Sequence, residues 1–205
     1  AALRSGAGLV TAAVPGSNLA IVAAGQAELM TEPLPETAAG TADFPALDAA
    51  RLDALLRPAT VLAIGPGLSQ APESAALARH LITVSPLPCV LDADGLNAFH
   101  QRRGELRPRQ AVLTPHPGEM ARLFDVSTDA VQQRRLYYAQ RLAAETGAIV
   151  VLKGQYSLVA APDGPVWVNA SGNPGMATAG AGDVLTGIVA GLLAQFPAPE
   201  PRLDC

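Results

Sequence analysis

The feature that most limits the fold is a repeated run pattern. Short stretches that are apolar at nearly every position are closed by a loop rich in glycine, proline or polar residues, and stretches of helical character separate them. Strand-like runs lie at Leu9–Val14, Val61–Ile64, Val90–Asp92, Ala111–Thr114 and Ile149–Leu152. Between them, helices are expected near Asp48–Leu56, Glu73–Leu81, Gly118–Leu123 and Asp129–Thr146, with a further apolar helix at Val184–Phe196. Within Asp129–Thr146, Val131, Tyr138 and Leu142 recur at spacings of seven and four, which puts them near one helix face. Ala1–Arg4 reads as part of a helix. A strand that is apolar throughout has no face to give to water. Several such strands separated by helices predict an α/β chain with a mostly parallel sheet covered by helices on both faces. Ser157–Ala161 and Val166–Asn169, split by Pro162–Gly164, read as a β-hairpin and an antiparallel edge to that sheet. With 205 residues, no internal repeat and no linker, one domain is expected.

Open sheets of this kind bind ligands beyond the carboxyl ends of their strands. That singles out the loops Gly65–Ser69, Asp92–Asn97, Thr114–Glu119, Lys153–Ser157 and Ser171–Asp183. Composition narrows the ligand. A formal net charge of −4 makes the chain a poor general binder of nucleic acid, yet leaves room for a nucleotide held locally by backbone N–H groups. No stretch is long enough to span a membrane: the most apolar, Val184–Phe196, has 13 residues and is interrupted by Thr186, Gly187 and Gly191. Cys89 and Cys205 lack metal-ligand spacing; Cys89 reads as a small buried thiol, and a reducing cytoplasm is the expected location.

The stretch Asn173-Pro174-Gly175-Met176-Ala177-Thr178-Ala179-Gly180-Ala181-Gly182-Asp183 carries the clearest chemistry. Glycines let a backbone approach a ligand closely, and the first N–H groups of the helix that follows have no intrahelical acceptor. Those groups and the helix dipole together form an anion site. Asp183 either caps that helix or serves as a general base beside the anion. Elsewhere, too, a structural and a functional reading stand side by side. Asp92 and Asp94 could bind Mg²⁺ through carboxylates and water or cap the helix leading to Phe99. Glu119 could cap the helix starting near Gly118. His116, between two prolines, could make a structural hydrogen bond or contact a ligand. Lys153, ending an apolar strand, must reach something anionic or water. The basic run Arg102, Arg103, Arg107 and Arg109 reads as a solvated loop.

The glycine stretch resembles the GxGD anion hole of the ribokinase-like superfamily. Gly172-Asn173-Pro174-Gly175-Met176-Ala177 followed by Gly180-Ala181-Gly182-Asp183 is similar in particular to the NAD(P)H-hydrate dehydratase family. Further stretches resemble that family in the same order: Ala2-Leu3-Arg4-Ser5-Gly6-Ala7-Gly8-Leu9-Val10, Ile64-Gly65-Pro66-Gly67-Leu68, Leu91-Asp92-Ala93-Asp94-Gly95-Leu96-Asn97, Leu113-Thr114-Pro115-His116-Pro117-Gly118-Glu119 and Val151-Leu152-Lys153-Gly154. A single glycine motif is weak; six in order are specific.

The resemblance implies a ribokinase-like three-layer sandwich and an ADP-dependent dehydratase that repairs hydrated NADH and NADPH. Asp183 would take the proton of the ring hydroxyl, and the N–H groups of Gly180, Ala181 and Gly182 would stabilise the transferred phosphoryl group. Gly67, His116 and Asp183 would line the hydrate site. Lys153, Gly154, Gln155, Tyr156 and Ser157, with Gly182, would hold the adenine nucleotide. ADP or ATP is the implied co-substrate, AMP a product, and Mg²⁺ the implied cofactor. A homo-oligomer and a preceding NAD(P)HX epimerase domain are expected. The chain departs from the family in having Ser157 where Thr is usual. It also lacks the glycine-rich segment expected before Ala1 and the helices expected after Gln195, where Pro197, Pro199 and Pro201 follow. It is therefore expected to be one dehydratase domain, 1–205, truncated at both ends. The rival readings are a small-molecule kinase of the hydroxyethylthiazole kinase type and a non-catalytic nucleotide-binding fragment.

Overall fold

The first strand does not join the main sheet. In the computed structural model, which describes residues 1–108 and 110–196, β1 (Thr11–Pro15) pairs in parallel with β2 (Met30–Leu34) as a separate two-stranded sheet, connected through α1 (Leu19–Gly25). The expected strand Leu9–Val14 is thus displaced toward Pro15. Neither α1 nor β2 follows from the apolar runs, because β2 reads Met-Thr-Glu-Pro-Leu and offers no continuous one. The helix α2 (Ala49–Leu56) begins where Asp48 accepts a hydrogen bond from the Arg51 N–H at 2.8 Å. Leu52 of α2 joins Leu34, Ala42, Leu47 and Leu77 in a small satellite core beneath this part of the chain.

The remaining strands build the main sheet in chain order. They are β3 (Leu62–Ile64), β4 (Cys89–Leu91), β5 (Ala111–Leu113), β6 (Ile149–Leu152), β7 (Ser157–Ala160) and β8 (Val166–Asn169). β3 to β6 run parallel; β7 and β8 continue the sheet antiparallel, as the hairpin reading expects. The crossovers carry α3 (Pro72–Val84), α4 (Ala93–Asn97), α5 (Pro117–Phe124), α6 (Thr128–Gln133) and α7 (Arg135–Thr146); α8 (Ala181–Gln195) follows β8. At β4, Cys89, Val90 and Leu91 are all buried although alternate residues point to opposite faces, so both faces are covered there. Burial pushes the Cys89 thiol up to about 12, in keeping with an inert core cysteine.

Two helices differ from expectation. The stretch Asp129–Thr146 is not one helix: it breaks at Arg134, whose φ of −136° is not helical. Val131, Tyr138 and Leu142 are nevertheless all buried, so the apolar face survives the break. The last helix starts earlier than Val184, at Ala181, and it buries its small side. Thr186, Ala190 and Gly191 face inward while Val184, Ile188 and Leu192 are exposed. Gly187 and Gly191 press against the first residues of the chain, where Leu3–Ser5 form a short 3₁₀ turn. A β-carbon on Gly187 would lie 2.7 Å from Ala1 Cβ, and one on Gly191 would lie 2.9 Å from the Ala2 carbonyl oxygen. No helix among the described residues is long and apolar enough to cross a membrane. Arg109, Cys205 and the proline-bearing stretch 197–205 lie outside the described residues.

Candidate active site

The carboxyl ends of β3 to β6 are tied together by close backbone packing and by buried charge. Gly65, just past β3, takes a φ of +128°, and a β-carbon there would sit 1.8 Å from the Asp92 carbonyl oxygen. Only glycine allows β3 to end this close to the start of α4. Asp94 in the first turn of α4 accepts from the Ser69 N–H at 3.1 Å and from Asn97 Nδ2 at 3.1 Å, which anchors the Gly65–Ser69 loop. Gly67 lies on that loop, exposed, with a φ of +69° and open space where a side chain would be.

Asp92 neither caps α4 nor stands free for a metal. Its buried carboxylate accepts from Lys153 Nζ at 2.6 Å and from Thr186 Oγ1 at 2.8 Å. Lys153 also lies 3.7 Å from Glu119 Oε2. The lysine at the end of β6 does reach an anion, but it reaches inward, to protein carboxylates. Thr186, in the second turn of α8, had no signal in the sequence: an isolated threonine in an apolar helix reads as an interruption. Its partner is 94 residues away.

Glu119 and His116 form a capping box at the start of α5. Glu119 Oε2 accepts from the His116 N–H at 2.7 Å, and His116 Nδ1 accepts from the N–H groups of Gly118 (3.0 Å) and Glu119 (3.4 Å). With Nδ1 accepting, the ring proton belongs on Nε2, which faces Glu119 Oε1 at 3.2 Å. The structural reading of both residues therefore holds. The His116 ring remains about half exposed (48%), so one face is open to a ligand.

Lys153 continues into the β6–β7 turn. Its N–H donates to the Pro115 carbonyl at 2.9 Å, joining this turn to the His116 loop. Gly154 (φ +133°) and Tyr156 (φ +53°) are left-handed, and Ser157 Oγ donates to the Gly154 carbonyl at 2.9 Å. Gly154, Gln155 and Tyr156 are exposed. Sequence reading also missed Arg135 of α7, whose Nη2 lies against this turn, 3.4 Å from the Lys153 carbonyl.

Above the buried pair sits the glycine turn. Gly180, left-handed at φ +82°, is the residue that precedes helix α8; Ala181, Gly182 and Asp183 form its first turn. Asp183 is thus not the N-cap: it stands three residues in, exposed, with no capping bond. The Ala181 N–H donates to the Thr178 carbonyl at 3.2 Å, whereas the N–H groups of Gly182 and Asp183 have no partner among the described residues. A β-carbon on Gly182 would lie 3.4 Å from Lys153 Nζ and 3.5 Å from Asp92 Oδ2, so the start of α8 rests on the ion pair. The arrangement presents free donors and a helix dipole above an ammonium, which suits an anion, with an exposed carboxylate beside it for proton transfer.

The described residues contain no cluster of three or more His, Cys, Asp and Glu side chains suited to a metal. Asp92, Asp94 and Glu119 are committed to protein partners, so these residues do not form a built Mg²⁺ site. The basic run is only partly solvated. Arg103 donates from Nε to Glu145 at 2.7 Å and from Nη1 to the Leu123 carbonyl at 2.7 Å, and it stacks over Phe124.

Comparison with known proteins identifies the family and the fold. The model of the NAD(P)H-hydrate dehydratase family matches residues 1–203. The bifunctional NAD(P)H-hydrate repair enzyme Nnr of Moorella thermoacetica is 50% identical over 201 residues, covering 97% of this chain and 38% of that protein. The ADP-dependent (S)-NAD(P)H-hydrate dehydratase of Bacillus subtilis is 38% identical over 139 residues, covering 68% of this chain and 49% of its own length. Among solved structures, a ribokinase-like superfamily protein from Enterococcus faecalis superposes with a TM-score of 0.78 at 29% identity, over 98% of this chain and 66% of its own. The Bacillus subtilis ADP/ATP-dependent NAD(P)H-hydrate dehydratase, co-crystallised with ATP/Mg²⁺ and soaked with CoA, gives 0.74 at 29% identity, over 97% and 68%. The chain spans 38% of the length of the Moorella relative, and its fold is ribokinase-like. On these matches and the ordered loops at its strand ends, the chain belongs to the NAD(P)H-hydrate dehydratase family.

Proposed function

We propose that the chain carries an ADP-dependent (S)-NAD(P)H-hydrate dehydratase site. One observation carries the reading: the Gly180–Asp183 turn offers unpartnered N–H groups over the Lys153–Asp92 pair, with a carboxylate on the rim. Hydroxide is a poor leaving group from the hydrated ring, and phosphorylation turns it into a good one. The ring hydroxyl oxygen attacks the terminal phosphorus of ADP; its proton goes to Asp183, and the bond to the AMP oxygen breaks. The Gly182 and Asp183 N–H groups hold the charge spread over the transferred phosphoryl group. The ring-nitrogen lone pair then expels phosphate, and loss of the neighbouring ring proton restores the dihydropyridine.

In this reading Gly67, the open face of His116 and Asp183 line the hydrate side. Lys153–Ser157 and Gly182 form the nucleotide side. The Gly180 N–H also has no partner among the described residues and joins these donors, whereas Ala181 shapes the turn, since its N–H is already used by Thr178. Magnesium, where the nucleotide brings it, would neutralise phosphate charge, and Asp92, Asp94 and Glu119 would not hold it, being engaged by protein partners. The whole protein includes an NAD(P)HX epimerase unit, a reading supported by the bifunctional relatives being longer than this chain. It also self-associates, for which the exposed apolar face Val184, Ile188 and Leu192 offers contact area.

Product analysis with ADP and hydrated NADH tests the function. NADH, AMP and phosphate are expected. A stable phosphorylated product would instead make the chain a kinase of the same fold, and nucleotide binding without turnover would make it a non-catalytic module.

A further inference from the structure

Arg135, the first residue of α7, is half-buried, and its guanidinium faces backbone oxygen. Nη2 lies 3.3 Å from the Leu152 carbonyl, 3.4 Å from that of Lys153 and 3.4 Å from that of Tyr156. Nη1 donates to Gln132 Oε1 at 3.4 Å. No carboxylate pairs with Arg135 among the described residues, although Arg57, Arg102, Arg103 and Arg141 all have one. Burial lowers its guanidinium from the ordinary arginine value, but an arginine keeps its charge under such a shift. Carbonyls converging on one point repel each other, and a cation at their focus offsets that repulsion. The turn is also strained at Tyr156, a non-glycine residue at φ +53°. Gly154 completes the fit: a β-carbon there would lie 2.7 Å from Arg135 Nη1.

We propose that Arg135 is a positioning residue for the adenine nucleotide, holding the Lys153–Tyr156 turn in the shape that receives it. The inference rests on the proposed assignment of that turn to the nucleotide. Lysine keeps the charge but has no planar fork to span several carbonyls, so the conservative variant is informative.

The test measures ADP affinity by calorimetry, steady-state kinetics with both substrates, and amide exchange of residues 154–157 in Arg135→Lys and Arg135→Gln. Both variants should weaken ADP binding and raise its KM about tenfold, or about 1.4 kcal/mol. The KM for the hydrate and kcat should stay within about twofold, as for loss of binding shared by ground and transition states. Exchange in the turn should quicken while the rest of the chain is unchanged. Gly154→Ala, which displaces the guanidinium, should shift ADP affinity the same way. Unchanged ADP affinity in Arg135→Lys and Arg135→Gln, or an equal loss for both substrates, overturns the proposal, whatever the exchange rates do. A parent protein that binds the hydrate but no adenine nucleotide overturns the assignment of the turn, and Arg135's role with it. Should Arg135→Gln fail to fold, Arg135→Lys alone decides.

Discussion

The two walls of the candidate site are built by opposite means. The strand-end wall, with Asp92 and Glu119 buried and Lys153 partly so, is cross-linked across elements far apart in sequence. The glycine wall, Ser171–Gly180, is exposed throughout, and its side-chain hydrogen bonds are local: Ser171 to Asn169, and Gly175 N–H to Asn173 Oδ1 at 2.9 Å. The first fixes where charge sits; the second leads into the start of α8, whose free N–H groups a ligand approaches. Substitutions in the first wall should therefore cost folding, and those in the second should cost chemistry.

The sharpest break of that contrast is Lys153→Met, which leaves Asp92 buried without its cation. It should destabilise the protein by about 3–5 kcal/mol, read from denaturant unfolding. A loss below about 1 kcal/mol would mean the pair does not hold the strand ends together. Next in size, Asp183→Asn should lower turnover about a hundredfold or more, as for loss of a general base. Because Asp183 is exposed and makes no capping bond, melting and ADP affinity should barely change. A large fall in stability would place Asp183 with the structural wall instead.

That second expectation shows where sequence reading stopped. The strands at β3 to β6 were legible because each is apolar on both faces, and the hairpin because Pro162–Gly164 interrupts two β-rich runs. β2 was not, since Thr31, Glu32 and Pro33 pair by backbone in a sheet that hides little. The break at Arg134 was invisible because the residues on either side keep the same buried face. Among the site residues, the glycine turn and Glu119's cap could be read locally. The partners of Asp92 could not, since Lys153 and Thr186 come from β6 and α8. Arg135 was missed for a related reason: its targets are carbonyls, which every residue carries, so no side-chain pattern marks them.

Smaller effects sharpen the comparison further. Thr186→Val keeps shape and removes one donor to Asp92, so it should cost about 1–2 kcal/mol of stability and little else. An unchanged unfolding midpoint would remove Thr186 from the strand-end wall. Smallest in energy is the behaviour of Cys89. With its thiol at about 12, the thiolate is about a thousandfold rarer than at the reference value of 9.0. Site-resolved alkylation at neutral pH should leave Cys89 unmodified in the folded protein and label it on denaturation. Ready labelling of the native state would show that the core beside β4 opens.

The glycines of α8 bear on how the chain is made. Gly187 and Gly191 are complementary to Ala1 and Ala2, so a segment made early finds its place only against one made much later. At the usual pace of synthesis that interval is about 10–40 s. Through it the six-stranded sheet can assemble in order of emergence, each parallel neighbour following the one before, while Leu3–Ser5 waits unpaired. Nascent chains halted before Ala181 should accordingly carry a protected sheet and a protease-sensitive Ala1–Ser5 segment. Release of α8 would then close this part of the molecule by seating the Leu3–Ser5 turn on the helix.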